Sequence, residues 1–413
     1  MRGYDPEGTV TDLTVAQTSQ RPGWLRRLVG DGLLPPAPPT LSVWTLLLIL
    51  GFLAAWRAAI LIFSYIFDHL GSGTCGVGVP WPLSYSACWD TQWYQVIAAQ
   101  GYSYTPGAAS SVAFFPLFPL LIRYADRILP GGDILAALVV VHLALAAAVI
   151  YIYQLVRLDF PDLIAWRTLF YLLAFPSALF FSVVYPESVF LLGLAGALYH
   201  ARRGQWIRAG LFGIVASATK LIGLIVPVVL VVELLAQGAL NWRRPRPMLG
   251  VILSPLGALG YLAWLQFHFG DFRVFFVAES YWMRESFDPV ILLGVKRLMD
   301  DLSGLAFYPL TITPLPSIFL LMDTTLLLLF IVAGIVLWLR VRPSYGALVL
   351  TAALILTFSG NPQSLTRYLV VLFPVFILVG QIPWEPVRNA ISLFSILGLG
   401  LITFSFVNGI WAG

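Results

Sequence analysis

Charge is scarce in this chain of 413 residues. Asp, Glu, Lys and Arg make up 11% of it, while hydrophobic residues reach 59%. Soluble domains carry roughly a quarter charged and about half apolar residues. A water-soluble globule has too much surface to hide so large an apolar share. The composition therefore excludes a nucleic-acid-binding domain and a disordered regulator. Cysteine is nearly absent: Cys75 and Cys88 are the only two, which excludes a secreted disulfide scaffold. The four histidines, His69, His142, His200 and His268, are scattered without HxxxH or HExxH spacing, so no zinc site is expected. Lysine is rarer still, with Lys220 and Lys296 alone. The net charge of +4 then bears on topology, not on an anionic partner.

What remains is an all-α polytopic membrane protein. A spanning helix needs roughly 20 apolar residues. Candidate spans are 43–67, 134–156, 168–184, 188–201, 207–219, 221–238, 248–267, 316–339, 345–358, 369–383 and 390–411, about eleven transmembrane helices. The first long apolar run begins near Leu41, too late for a secretory signal. Residues 1–40, rich in Pro, Gly, Thr and charge, read as a flexible cytoplasmic tail, and 41–413 as one transmembrane domain. With the tail inside, fifteen basic residues fall on inner segments and eight on outer ones, which is the expected asymmetry.

Two long outer loops follow, 68–133 and 268–315. From His69 to Ile122 there is no Lys or Arg, but there is a run of aromatic rings suited to helices at the membrane interface. Long aromatic outer loops favour a catalytic face on the extracytoplasmic side. Cys75 and Cys88 lie in the first loop; a disulfide and two free thiols both fit.

The densest segment is Cys88-Trp89-Asp90-Thr91-Gln92-Trp93-Tyr94, continuing to Gly101-Tyr102. Trp89, Trp93 and Ile97 recur at i, i+4, i+8, an interfacial helix stripe. Asp90 reads either as a helix N-cap or as a general base at the membrane surface, taking a proton from an attacking hydroxyl. Two prolines in Phe114-Phe115-Pro116-Leu117-Phe118-Pro119 break regular helix before the next span. In Tyr185-Pro186-Glu187-Ser188, Glu187 suits a helix start or an outer cavity shared with Asp90, where it orients sugar hydroxyls. Lys220 interrupts an apolar run: either it snorkels to the interface or it is an intramembrane functional charge. Arg367 of Arg367-Tyr368 either anchors a helix end or grips a lipid phosphate through its planar fork. Lys296 and Arg297 add cations in the second outer loop.

Trp89-Asp90-xx-Trp93-Tyr94-xx-Ile97-Ala98-xx-Gly101-Tyr102, followed by Ala113-Phe114-Phe115-Pro116-xx-Pro119, resembles the GPI mannosyltransferase 2 family and its bacterial relatives, within the GT-C glycosyltransferase superfamily. Phe175-Pro176-Ser177-Ala178, Tyr185-Pro186-Glu187-Ser188 and Arg367-Tyr368 before Phe373-Pro374 resemble the family's later motifs, in the family's order. The resemblance implies a GT-C fold with interfacial helices in the first outer loop. It implies an inverting transferase that moves mannose from a polyprenyl-phosphate-mannose donor to a glycan or glycolipid hydroxyl. The catalytic acid of the first outer loop maps onto Asp90. Trp89, Gln92, Trp93, Tyr94, Glu187, Lys220, Arg367, Tyr368, Lys296 and Arg297 are the candidate substrate-binding residues. Where the family commonly has arginine, this chain has Lys220, which keeps charge and loses a bidentate grip. Arg-rich, Lys-poor composition looks bacterial, so a bacterial cell membrane is expected and the eukaryotic acceptor is not. A monophosphate leaving group paired with cations requires no metal, and no cofactor is expected. The alternative is a flippase for a polyprenyl-linked sugar, which needs the cations but no base.

Overall fold

The structure is a computed structural model. It describes residues 40–71, 76, 79–239, 245–281, 315–359 and 364–411, without the side chains of 315–318 and 320. All regular elements among these residues are helical.

Helix α1 (Val43–Leu70) opens on Ser42, whose hydroxyl accepts the Thr45 N–H at 3.0 Å. Its 28 residues reach about 42 Å at 1.5 Å per residue, more than a hydrocarbon core of about 30 Å. The stretch after α1 then folds into short pieces: α2 (Thr91–Gln100), a 3₁₀ turn at Ser111–Ala113, and α3 (Leu117–Asp126). The break falls at the proline-bearing Phe-Phe-Pro run, as expected. The long helix α4 (Asp133–Val156) follows, then α5 (Asp162–Ala174), α6 (Glu187–Arg202), α7 (Trp206–Thr219) and α8 (Ile225–Ala236). Next come α9 (Arg246–Leu253), α10 (Leu256–Phe269) and α11 (Val274–Ser280). The chain ends with α12 (Leu315–Val336), α13 (Pro343–Thr357), α14 (Leu365–Leu369), α15 (Pro374–Gln381) and α16 (Glu385–Val407).

Among the described residues four helices are long and apolar enough to cross a membrane, and the α9–α10 pair, bent by 45°, makes a fifth if taken as one span. Helices α7 and α13 are apolar but shorter, as is the stretch Leu221–Ala236. Eleven continuous spans are not matched by length and composition. Three of the expected runs are broken. Pro176 ends α5 and starts a 3₁₀ segment, Pro176–Phe181. The run 248–267 is bent between α9 and α10, while Lys220, in extended conformation, falls between two expected runs, ahead of a 3₁₀ turn at Leu221–Leu224. The run 369–383 splits, and α15 starts only at Pro374.

Helix α6 sits at the centre, against α4 on one side and α7 on the other. Small residues let it approach closely: a Cβ on Gly193 would stand 2.6 Å from the Ala216 backbone nitrogen. The contact fixes α7 against α6, and with it the two residues at their adjacent ends, Glu187 and Lys220.

Candidate functional site

Helix α2 buries Thr91, Tyr94, Ile97 and Ala98. Tyr94 packs edge-on to Phe114, Phe118 and Tyr185, so the helix lies across the ends of α3, α4 and α6. The buried stripe runs through Tyr94 rather than Trp93, because Trp89 is not helical. It precedes the helix in a left-handed conformation, φ 55°. Trp89 faces Trp411 at 5.2 Å, and Trp93 stacks on Phe114 at 5.6 Å. Gln92 is exposed.

Asp90 stands at the N-cap position of α2, but its side chain caps nothing. It turns away and accepts a hydrogen bond from Arg367 Nη1 at 2.9 Å through Oδ2. The Asp90 backbone N–H donates to the Tyr185 hydroxyl at 3.2 Å. The capping reading is thus replaced by an ion pair to a residue 277 positions away.

Glu187 begins α6, fully buried. Its Oε1 accepts from Lys220 Nζ at 2.6 Å and lies 3.1 Å from Arg367 Nε, an ion contact without hydrogen-bond alignment. Its Oε2 is buried without a partner. Lys220 does not snorkel. It is buried at the break after α7, held by Glu187 and set over the Tyr368 ring at 4.6 Å. Arg367, on the short α14, is ringed by Tyr185, Phe180, Tyr368 and Trp411 at 5.2 to 5.7 Å, cation–π distances.

Two acids and two cations thus close one network. Burial opposes charge on Arg367, but Glu187 and Asp90 outweigh it and raise its pKa further above the usual arginine range. Burial, then the Asp90 charge, push the Tyr185 hydroxyl well above the ordinary phenol range, so it stays protonated. The side chain of Asp90 keeps 20% of its surface exposed, against 0% for Glu187. Asp90 is thus the more exposed of the two acids. Glu187 stands at a helix start, one of its two expected places, and pairs with both Lys220 and Arg367.

Of the eleven candidate residues, Asp90, Glu187, Lys220, Arg367 and Tyr368 come together, with Tyr94 and Trp89 at the rim. Lys296 and Arg297 lie outside the described residues. Cys88 is disulfide-bonded, and Cys75, the chain's only other cysteine, lies outside the described residues. Sequence reasoning missed Phe180, Tyr185 and Trp411 as walls of the arginine cage. Tyr185 was marked by its place in the Tyr-Pro-Glu run; nothing local marks Trp411.

No family model matches the chain, and no curated protein matches it in sequence. Solved structures match it in fold. ArnT from Cupriavidus metallidurans, crystallised with undecaprenyl phosphate, aligns with a TM-score of 0.51 at 17% identity, over 84% of this chain and 63% of its own. The chain thus spans less than two thirds of ArnT. At this identity the likeness is one of fold. The Archaeoglobus fulgidus oligosaccharyltransferase in its apo form aligns with a TM-score of 0.45 at 14% identity, over 87% of this chain and 56% of its own.

Proposed function

We propose that this chain is an inverting membrane glycosyltransferase that uses a polyprenyl-phosphate-linked sugar, and that the sugar is mannose, as the family resemblance implies. The acceptor is a hydroxyl of a lipid-linked or cell-surface glycan, met on the extracytoplasmic face of a bacterial membrane. Asp90 takes the proton of that hydroxyl. The oxygen attacks the anomeric carbon as the bond from that carbon to the phosphate oxygen breaks. Polyprenyl phosphate leaves with the bonding electrons, and the configuration inverts. Arg367 and Lys220 offset the charge that builds on the departing phosphate, and Glu187 holds both in place. The reading calls on no cofactor. A ligand of the same class, undecaprenyl phosphate, occupies ArnT.

One observation carries the proposal: the only partly exposed acid of the four-charge network, Asp90, is presented by the aromatic stretch after α1 against a caged arginine. The test uses purified protein in lipid with radiolabelled polyprenyl-phosphate mannose and a membrane lipid extract. Label should move to a new lipid with wild type and not with Asp90→Ala. Full transfer by Asp90→Ala would remove the assigned base. Translocation of the donor in sealed vesicles without any new glycosidic bond would favour the flippase reading instead.

A further inference from the structure

Asp323 is an acid in the middle of an apolar helix, α12, and it is buried. An intramembrane carboxylate is costly unless it is paired. Among the described residues it has no ion-pair partner. Its Oδ1 accepts the Thr366 backbone N–H at 3.0 Å, and the Leu365 N–H is bonded to it as well. The carbonyl of Thr366 accepts the buried Ser177 hydroxyl at 2.7 Å, from the 3₁₀ segment after α5. The backbone of Thr366 is therefore held on both sides by side chains from two other elements. The next residue is Arg367. Helix α14 is only five residues long and follows Ser364 in left-handed conformation, φ 71°, so its own hydrogen bonds fix it poorly.

We propose that Asp323 is a positioning residue, assisted by Ser177, which fixes α14 so that the Arg367 guanidinium meets Asp90 and Glu187. The inference rests on the transferase reading for its consequence and on geometry alone for the tether. An acid side chain suits this place because its carboxyl oxygens can meet two neighbouring backbone N–H groups at once. Asparagine keeps the oxygen; leucine keeps the bulk and loses both bonds.

The test is a pair of double-mutant cycles on the full chain in lipid nanodiscs, combining Asp323→Leu with Arg367→Ala. One cycle reads the affinity for undecaprenyl phosphate and the other the thermal unfolding without ligand. Asp323→Leu should weaken binding about tenfold in the native background and less than about twofold once Arg367 is gone, because the two residues share one network. The unfolding shifts should be non-additive in the same sense. Deuterium exchange at the Leu365 and Thr366 amides should quicken in Asp323→Leu, and Asp323→Asn should keep most of the protection and at least about a third of the affinity. Equal losses in both backgrounds, or unchanged exchange, would overturn the proposal. A wild-type chain that binds no undecaprenyl phosphate would sink the transferase reading; the ligand-free cycle and the exchange would still decide the tether. If Asp323→Leu does not fold, Ser177→Ala, which frees the carbonyl side of Thr366, takes its place in both cycles.

Discussion

Helix α6 carries a charge network at each end, and the two differ in what they leave unused. Glu187 at its first residue joins Asp90, Lys220 and Arg367. Arg202 at its last, about 23 Å away along a 16-residue helix, joins Asp159, Glu233 and Arg342. In the second network every carboxylate oxygen is filled, although Arg202 Nε, 3.6 Å from Glu233, has no aligned partner. Arg202 grips Asp159 with both terminal nitrogens at 2.6 and 2.7 Å and donates to the Tyr345 hydroxyl at 2.8 Å. Both oxygens of Glu233 are filled, by Arg342 at 2.7 and 3.1 Å, Ser344 at 2.6 Å and Gln237 at 2.6 Å. The first network is open by contrast. Arg367 reaches Asp90 through a single hydrogen bond, Glu187 Oε2 is orphaned, and Arg367 Nε is unaligned. Both networks hold two acids and two cations, so charge balance alone does not separate a clamp from a site. A spare buried acceptor, Glu187 Oε2, does, whereas partial exposure does not, since the Asp159 side chain is 29% exposed against 20% for Asp90.

The largest effect should come from the open end. Asp90→Asn keeps size and loses the base, so transfer should fall by roughly 10² to 10⁴, the range general-base catalysis supplies. Stability should move less than at the closed end, since Glu187 still pairs with Arg367 once Asp90 is neutral. Turnover of labelled donor and a melting curve on the same preparation check both halves. A large loss of stability would make the first network a clamp as well.

At the closed end the pattern should invert. Glu233→Ala strands Arg342 and Arg202 in a buried site, and removing one partner of a buried pair costs about 3–5 kcal/mol. The melting temperature in detergent should drop, while turnover per folded molecule stays near wild type. Unaltered stability would contradict the clamp reading.

Arg367→Lys should have an intermediate effect. The guanidinium touches Asp90 through Nη1 and Glu187 through Nε, and a single ammonium does not span the two. Transfer should fall about tenfold while total charge is kept. The reciprocal change at the closed end, Arg202→Lys, should leave turnover alone and lower stability.

Much of this was legible before the fold was seen, for reasons that can be named. Charge is so rare in the apolar stretches that Asp90, Glu187, Lys220 and Arg367 each stood out alone. Pro116 and Pro119 marked a break in regular helix, whereas the expected spans ran through Pro176 and Pro374, where the structure interrupts them. Which charges meet was not legible. Asp90 and Arg367 lie in different elements at opposite ends of the chain, and no periodicity relates them. The local alternatives, capping for Asp90 and snorkelling for Lys220, were each sound and each lost to a long-range ion pair. Asp323 in Met322-Asp323-Thr324 and Glu233 in Val232-Glu233-Leu234 carried the same signal of a lone acid in an apolar run. Their meaning needed the backbone and side chains they bind.

The smallest change in stability should come at Trp89, and it sharpens the comparison most finely. The open network is approached by a residue in a conformation that side chains disfavour, φ 55°; such a placement costs about 1–2 kcal/mol. Trp89→Gly relieves that strain and removes the edge-on contact with Trp411, worth about 0.5–1.5 kcal/mol beyond burial. The two terms offset each other and leave the lost burial of a ring already 38% exposed, so the melting temperature should fall only slightly. Turnover should nonetheless fall severalfold. The backbone directly before Asp90 becomes freer, and Trp411, which also walls the Arg367 cage, loses its neighbour. Unchanged turnover would mean that the strained residue only closes a turn; reduced turnover at little-changed stability would mean that the strain is held there to aim the carboxylate.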